Sequence, residues 1–305
     1  MLKDKNISEI MKKAQKMQIV IPAFNVAYLP MAKPIAEALK DNGSFGLVEV
    51  ARPDVEKFGA KSYKAVVDEY KIYADLNHVR LHLDHTPVID EDGKRVDWET
   101  LIKQGLSLGF NSVMVDGSRL SLEENIAVTR KAAEMAHPKK VPVEAELGAV
   151  LGHEKGPIPP YEELFASGKG FTRVEEAARF VKETGVDWLS VAIGNIHGAI
   201  SGAAKDSKKP TARLNIEHLR RLRDITGVPL VLHGGSGIAR EYVLEGIKNG
   251  IAKINVGTEI RQAYEKGLAE KNNDVGFAQK KTYDKMTELI CDYYGIKGSA
   301  ARLDK

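Results

Sequence analysis

The sequence predicts a single (β/α)8 TIM barrel, and three observations carry that prediction. The chain has 305 residues, a length that suits one large barrel or two smaller domains. Eight short, β-branched apolar runs recur along it, the mark of parallel strands buried on both faces. Between successive runs lie stretches with helical periodicity, as a repeating strand–helix unit requires. An open doubly wound sheet would instead place a glycine-rich phosphate turn after its first strand, with an acidic residue about 20 positions on. Here the first run continues AFNVAYLPM, and no such turn is present.

Residues 1–17 form an amphipathic stretch with charges throughout, predicting a helix ahead of the barrel at about 18–275. The strand runs are 19–24 (IVIPAF), 45–51 (FGLVEVA), 79–84 (VRLHLD), 112–116 (SVMVD), 141–146 (VPVEAE), 187–193 (DWLSVAI), 229–233 (PLVLH) and 252–256 (AKINV). Helix signals fall between them: PMAKPIAEALKDNG stops at Gly43, and SLEENIAVTRKAAEMAHP opens on a Ser121–Glu124 capping box and closes at Pro138. Two connections, 147–172 and 194–214, exceed simple links and follow strands, which assigns them to the C-terminal rim where barrel chemistry sits. A helical extension, about 277–305, lies beyond the eighth unit and serves either barrel packing or a contact between subunits.

Composition removes several classes of function. Lys plus Arg total 45 against 42 Asp plus Glu, a net charge of +3, so no basic excess points to nucleic acid or an anionic membrane. The single cysteine, Cys291, excludes a disulfide framework and cysteine-rich zinc modules, and fits a reducing, cytoplasmic compartment. The N-terminus lacks the apolar core and cleavage site of a secretory signal, and no run approaches membrane-spanning length.

Polar residues cluster where the predicted strands end. Asn25, Asp84, His85, Asp116, Glu144, Glu146, Asn195, His197, His233 and Asn255 all fall there, and in a barrel those termini converge on one mouth. Three histidines at such positions, His85, His197 and His233, match an open catalytic zinc site with a fourth position free. Each taken singly also reads as a hydrogen-bonded core histidine. Strict alternation would put His82 and Asp84 on one face and His85 on the other, so periodicity does not itself bring Asp84 and His85 together. Asp116, Glu144 and Glu146 read as partners that orient ligand imidazoles, as alternative ligands, or as a structural network under the rim. HGGSG at 233–237 and NVGT at 255–258 follow the last two strands, where barrels hold phosphate.

PAFNV, LHLDH, SVMVDGS, VEAELG, VAIGNIHG, PLVLHGGSG and KINVGTEIR occur in order from about residue 22 to residue 261. Through these motifs the chain resembles the class II, metal-dependent ketose-bisphosphate aldolases, the fructose- and tagatose-bisphosphate aldolase family. The resemblance implies reversible cleavage of a ketose 1,6-bisphosphate to dihydroxyacetone phosphate and an aldehyde such as glyceraldehyde 3-phosphate. It implies one catalytic zinc (Zn2+) per chain, on His85, His197 and His233, with Asp84 exchanging the proton of the C4 hydroxyl. Asp116 and Glu146 would stand beside the metal or serve as alternative ligands, and Glu154, in LGAVLGHEKG, would remove the C3 proton. The phosphate of the ketone half would lie against Gly198, Gly234, Ser236, Asn255 and Thr258, often beside a monovalent cation (Na+ or K+), with Asn25 among the substrate-binding residues. A small phosphorylated sugar is the expected partner, and a homodimer or homotetramer the expected assembly.

Three positions depart from the family pattern. Asn195 and Ile196 stand where Thr or Ser is common; EVARPDVEKFGAKS, with Glu49 and Arg52 expected at the mouth, replaces a Ser-bearing loop; and Gly257 replaces an Asp. Arg261 matches an arginine that in some members reaches the distal phosphate. Arg52 could do the same or could pair with Glu49 or Asp54. Other readings are a Schiff-base aldolase, for which Lys253 is the one strand lysine but reads as remote from the mouth, and a zinc hydrolase, which leaves the paired phosphate motifs without a role. A catalytically silent scaffold subunit would not require Asp84, three histidines and Glu154.

Overall fold

The computed structural model describes residues 1–149, 160–195, 212–235 and 237–305. Eight parallel strands close into a barrel in chain order. They are β1 (Ile21–Asn25), β2 (Gly46–Val50), β3 (Val79–Leu83), β4 (Ser112–Val115), β5 (Val143–Leu147), β6 (Trp188–Val191), β7 (Leu230–Leu232) and β8 (Ile251–Val256), and each overlaps one of the apolar runs. Every strand residue is buried except Asn25 and Asn255, which stay partly open at one end of two neighbouring strands.

Pairing register shows which side chains share the barrel interior, because lateral neighbours in a parallel sheet point the same way. Asn25 pairs with Glu49, Glu49 with His82 and His82 with Ser112; farther round, Glu144 pairs with Met114 and Trp188. The upper interior is therefore polar, where such barrels usually carry layers of branched apolar side chains.

The opposite end is closed by the chain's own N-terminus. The helix Ile7–Met17 starts at Asn6, whose side chain accepts from the Ser8 N–H, and buries Ile7, Ile10, Met11 and Ala14 at helical spacing. Amides of Asn6, Gln15 and Gln18 donate to the carbonyls of Lys140, Val228 and Lys248, at 2.9, 3.0 and 3.0 Å, just ahead of β5, β7 and β8. The Ser121–Glu124 capping box forms at the head of the helix Leu122–Ala136.

After β8 come the helices Thr258–Glu270 and Val275–Glu288, a π turn at Leu289–Tyr293 and the helix Ser299–Asp304. Helix Val275–Glu288 buries Ala278, Thr282 and Met286, and Gln279 and Tyr283 donate to Pro30 O and Asp41 Oδ2. The extension thus packs against the chain's own segment at Pro30 and Asp41. Both long connections have tied bases: Thr172 bonds Leu147 O and Ala192 N, and the Tyr161 hydroxyl lies 3.0 Å from both Gly194 O and Arg213 O.

A Cβ at Gly267 would fall 2.6 Å from the Ala278 Cα, so the last two long helices pack on a bare backbone. Gly267→Val should cost about 1–3 kcal/mol in urea unfolding at 25 °C; unchanged stability would show that the helices are not in such close contact.

Candidate active site

At the C-terminal mouth the break in alternation lies at His85. Its φ is +74°, a left-handed conformation uncommon for a residue with a side chain. That reversal directly after Asp84 lets both consecutive side chains face the mouth. His85 Nε2 lies 2.9 Å from Asp116 Oδ2, and its ring centroid is 6.1 Å from that of His233. Burial opposes charge on His85, but the hydrogen bond and negative charge of Asp116, then Asp84 and Glu146, raise its pKa to about 10. Asp116 is held down to about 2, burial being outweighed by His85.

His233 is oriented from beneath. Its Nε2 lies 2.8 Å from Glu144 Oε1, and its Nδ1 faces Glu146 Oε2 at 3.7 Å. A carboxylate on one ring nitrogen fixes the tautomer and turns the other nitrogen to the mouth. Asn195 donates to His233 O at 2.8 Å and accepts from Ile193 N, so the residue that departs from the family pattern fixes the backbone of a candidate ligand. Burial and the charge of Asp116 push Glu146 up to about 7.

Asp84 sits in a cradle of amides. Asn255 Nδ2 donates to its Oδ1 at 2.8 Å, and Asn25 Nδ2 approaches its Oδ2 at 3.4 Å while donating to Asp54 Oδ2 at 3.1 Å. Burial works against ionisation of Asp84 but is outweighed by His233, Lys253, His82 and His85, which lower its pKa. Asp54, held also by the Ala51 N–H, is raised to about 6 by burial. Gly257 belongs to the same cradle: a Cβ there would stand 3.0 Å from Asn25 Oδ1, which leaves little room for the Asp of the family pattern.

Gly234 adopts a left-handed φ of +65°, and Gly257 precedes helix Thr258–Glu270 without a side-chain cap, so no cap side chain occupies the first N–H groups of that helix. His197, Gly198, Glu154 and Ser236 lie outside the described residues.

Three expectations are corrected. Glu49 is not at the open mouth: it is wholly buried inside the barrel, 3.5 Å from Lys253 Nζ, because its register with His82 turns it inward. Arg52 pairs with neither Glu49 nor Asp54; it bonds Glu56 at 2.6 Å and Asp90 at 3.1 Å, since Asp54 is already engaged by Asn25 and the Ala51 N–H. Lys253 is not remote: its ammonium is 2.6 Å from Asn255 Oδ1 and 2.9 Å from Glu144 Oε2. Arg261 forms two 2.8 Å bonds to Glu265 and stacks 4.8 Å from the centre of the Phe58 ring.

The donor set suits a divalent cation. His85, Asp116 and Glu146 offer ligand atoms all within 4.8 Å of one another, as do Asp84, Glu144 and His233. Imidazole with carboxylate is a combination for zinc, cobalt, iron or manganese, and metal binding would compete with the proton on His85.

A family model for class II fructose-bisphosphate aldolase matches residues 5–302. The chain belongs to this family. It is 34% identical over 261 residues to a 6-phospho-5-dehydro-2-deoxy-D-gluconate aldolase of Halalkalibacterium halodurans, spanning 85% of this chain and 82% of that one. With a fructose-bisphosphate aldolase of Geobacillus stearothermophilus it shares 32% identity over 269 residues, 87% and 84% of the two chains. The crystal structure of the YdjI aldolase from Escherichia coli matches with a TM-score of 0.76 at 29% identity, covering 96% of this chain and 98% of that one. The protein is therefore an aldolase, a lyase of a generally metal-dependent family. Among the described residues no helix is long and apolar enough to cross a membrane.

The sequence alone offers Lys253 only as a remote Schiff-base lysine and Asp54 only as a partner for Arg52, although the period-2 spacing of Lys253 and Asn255 puts the two on one face of β8. Glu144→Gln should lower metal affinity by about 10–100-fold in a chelator competition while the protein stays folded; unaltered affinity would remove Glu144 as the orienting group.

Proposed function

We propose that the aldolase cleaves a ketose 1,6-bisphosphate of the fructose or tagatose type to dihydroxyacetone phosphate and an aldehyde such as glyceraldehyde 3-phosphate, in the cytoplasm and as a homo-oligomer. The observation that carries the reading is the pairing at one mouth of an amide-cradled carboxylate, Asp84, with the imidazole that follows it, His85. One zinc ion per chain is assigned to His85, His197 and His233, with Asp116 and Glu146 as neighbouring or alternative donors. When bound, the metal supplies a Lewis acid for the substrate's carbonyl and hydroxyl oxygens.

In the cleavage direction Asp84 accepts the proton of the C4 hydroxyl as the bond between C3 and C4 breaks, and it returns the proton in condensation. Both amides facing Asp84 donate to it, which matches an ionised acceptor. Glu154 exchanges the proton at C3 of the ketone half. Gly198, Gly234, Ser236, Asn255 and Thr258 receive its phosphate, with a monovalent cation alongside and Asn25 ordering the substrate's polar end. Lys253 is a poor Schiff-base nucleophile: burial would neutralise its ammonium, but Glu144, Glu49 and Asp84 outweigh burial and raise its pKa.

A second substrate reading has its own support. The relative at 34% identity bears the name of a phospho-deoxygluconate aldolase, and both distal arginine candidates already face carboxylates. The same mechanism would then act on a different phosphorylated ketose. Between the two arginines, Arg261 is the better distal-group residue, since it stands in the first turn of the helix that follows β8, its N–H bonded to Gly257 O at 3.0 Å, whereas Arg52 lines a groove with Val55, Tyr63 and Leu101.

A cleavage assay across fructose, tagatose and sorbose bisphosphates and their 1-phosphates tests the proposal. Chelation should abolish activity and zinc restore it, and Asp84→Asn should lower kcat about 10²–10⁴-fold with metal content intact. Arg261→Met should raise KM about 10-fold or more for the bisphosphate alone. Full activity without metal, with borohydride trapping substrate on a lysine, would overturn the assignment.

A further inference from the structure

The chemistry above leaves Lys253 without a task, although its ammonium stands between two parts of the site. Lys253 has no exposed surface. Its Nζ lies 2.6 Å from Asn255 Oδ1, 2.9 Å from Glu144 Oε2 and 3.5 Å from Glu49 Oε2. The first contact leads to Asp84, through Asn255 Nδ2 at 2.8 Å from Asp84 Oδ1. The second leads to His233, through Glu144 Oε1 at 2.8 Å from His233 Nε2.

An ammonium has donors and no acceptor. The carboxamide oxygen of Asn255 must therefore face Lys253, which leaves its NH2 to face Asp84. Without the ammonium the two ends of that amide can exchange, and the flipped form would set a carbonyl oxygen against a carboxylate. The same cation occupies one oxygen of Glu144 and leaves the other for the His233 N–H. A methionine or leucine would fill this volume but would distinguish neither the ends of Asn255 nor the oxygens of Glu144.

We propose that Lys253 is a positioning residue for the aldolase reaction: its buried ammonium orients Asn255 against Asp84 and Glu144 against His233, so that one charge aligns the proton-transferring carboxylate with the metal-ligating imidazole. This inference rests on the reading that Asp84 transfers the proton and His233 holds the metal. Such an ion cluster earns little net stability compared with an apolar filling of the same volume, which separates this role from a structural one.

The test compares wild type, Lys253→Met, Asp84→Asn and the double variant as zinc-loaded enzyme, on the ketose phosphate that wild type cleaves fastest. At saturating zinc, Lys253→Met should lower kcat about 100-fold, the scale of a misplaced reacting group. KM should stay within about 3-fold, and zinc affinity in a chelator competition should fall about 10-fold. In the Asp84→Asn background the same change should cost less than about 3-fold in single-turnover rate, because the group being aimed is gone. Wild-type kcat in Lys253→Met, or its full loss repeated in the Asp84→Asn background, overturns the proposal. If Lys253→Met fails to fold, Lys253→Met/Glu49→Leu removes the carboxylate left facing the gap and should show the same pattern. Wild-type kcat in Asp84→Asn alone would instead defeat the reading of Asp84, and the inference with it.

Discussion

A cation with no exposed surface, the Lys253 ammonium, shares the barrel interior with Glu49, Glu144, Asp84 and His82. Charges in such a place are costly unless paired and hydrogen-bonded. Their arrangement therefore constrains everything above them. Burial and the charge of Asp84 drive Glu49 well above the ordinary carboxylate range, whereas Lys253 and the hydrogen bond from His233 outweigh burial and hold Glu144 well below it. Two glutamates one layer under the mouth thus differ because the ammonium stands 2.9 Å from Glu144 but 3.5 Å from Glu49, and because an imidazole, that of His233, hydrogen-bonds Glu144 at 2.8 Å. Deep burial and the nearby Lys253 also bring His82 down to about 3, leaving a neutral ring that pairs with Ser112 Oγ at 2.8 Å.

The mouth follows from that layer and from one backbone reversal. Asp84 continues the interior row two residues beyond His82, as strand geometry requires. His85 would point away but for its left-handed φ, and so the strained residue is the one that adds an imidazole to the site. At the opposite end the N-terminal helix lies across the barrel, with Gln15 and Gln18 bonded to carbonyls just ahead of β7 and β8.

Much of this was legible in the chain. The eight strands could be read because parallel strands buried on both faces leave unbroken apolar runs, and the capping box of Ser121 and Glu124 marked its helix locally. The family motifs singled out Asp84, His85 and His233, which the structure places together. Periodicity could not supply the turn at His85, since a left-handed residue interrupts the alternation on which it depends. Glu49 was misplaced because strand register, a property of two distant segments, decides which face it takes. The sequence offers only Glu49 and Asp54 as partners for Arg52, because Asp90 comes near it only when the chain folds. Lys253 looked remote because its Cα lies two residues below Asn255, about 6.6 Å along the strand, yet a four-carbon stem covers that span.

Histidines and carboxylates that converge at the C-terminal mouth should hold one metal ion. Anomalous diffraction at the zinc edge, on crystals of the zinc-loaded enzyme, would locate that ion. One strong peak per chain is expected, bonded to a ring nitrogen of His85, of His197 and of His233 through its Nδ1. A peak centred on Glu49 and His82, or no peak in crystals of fully active protein, would contradict it.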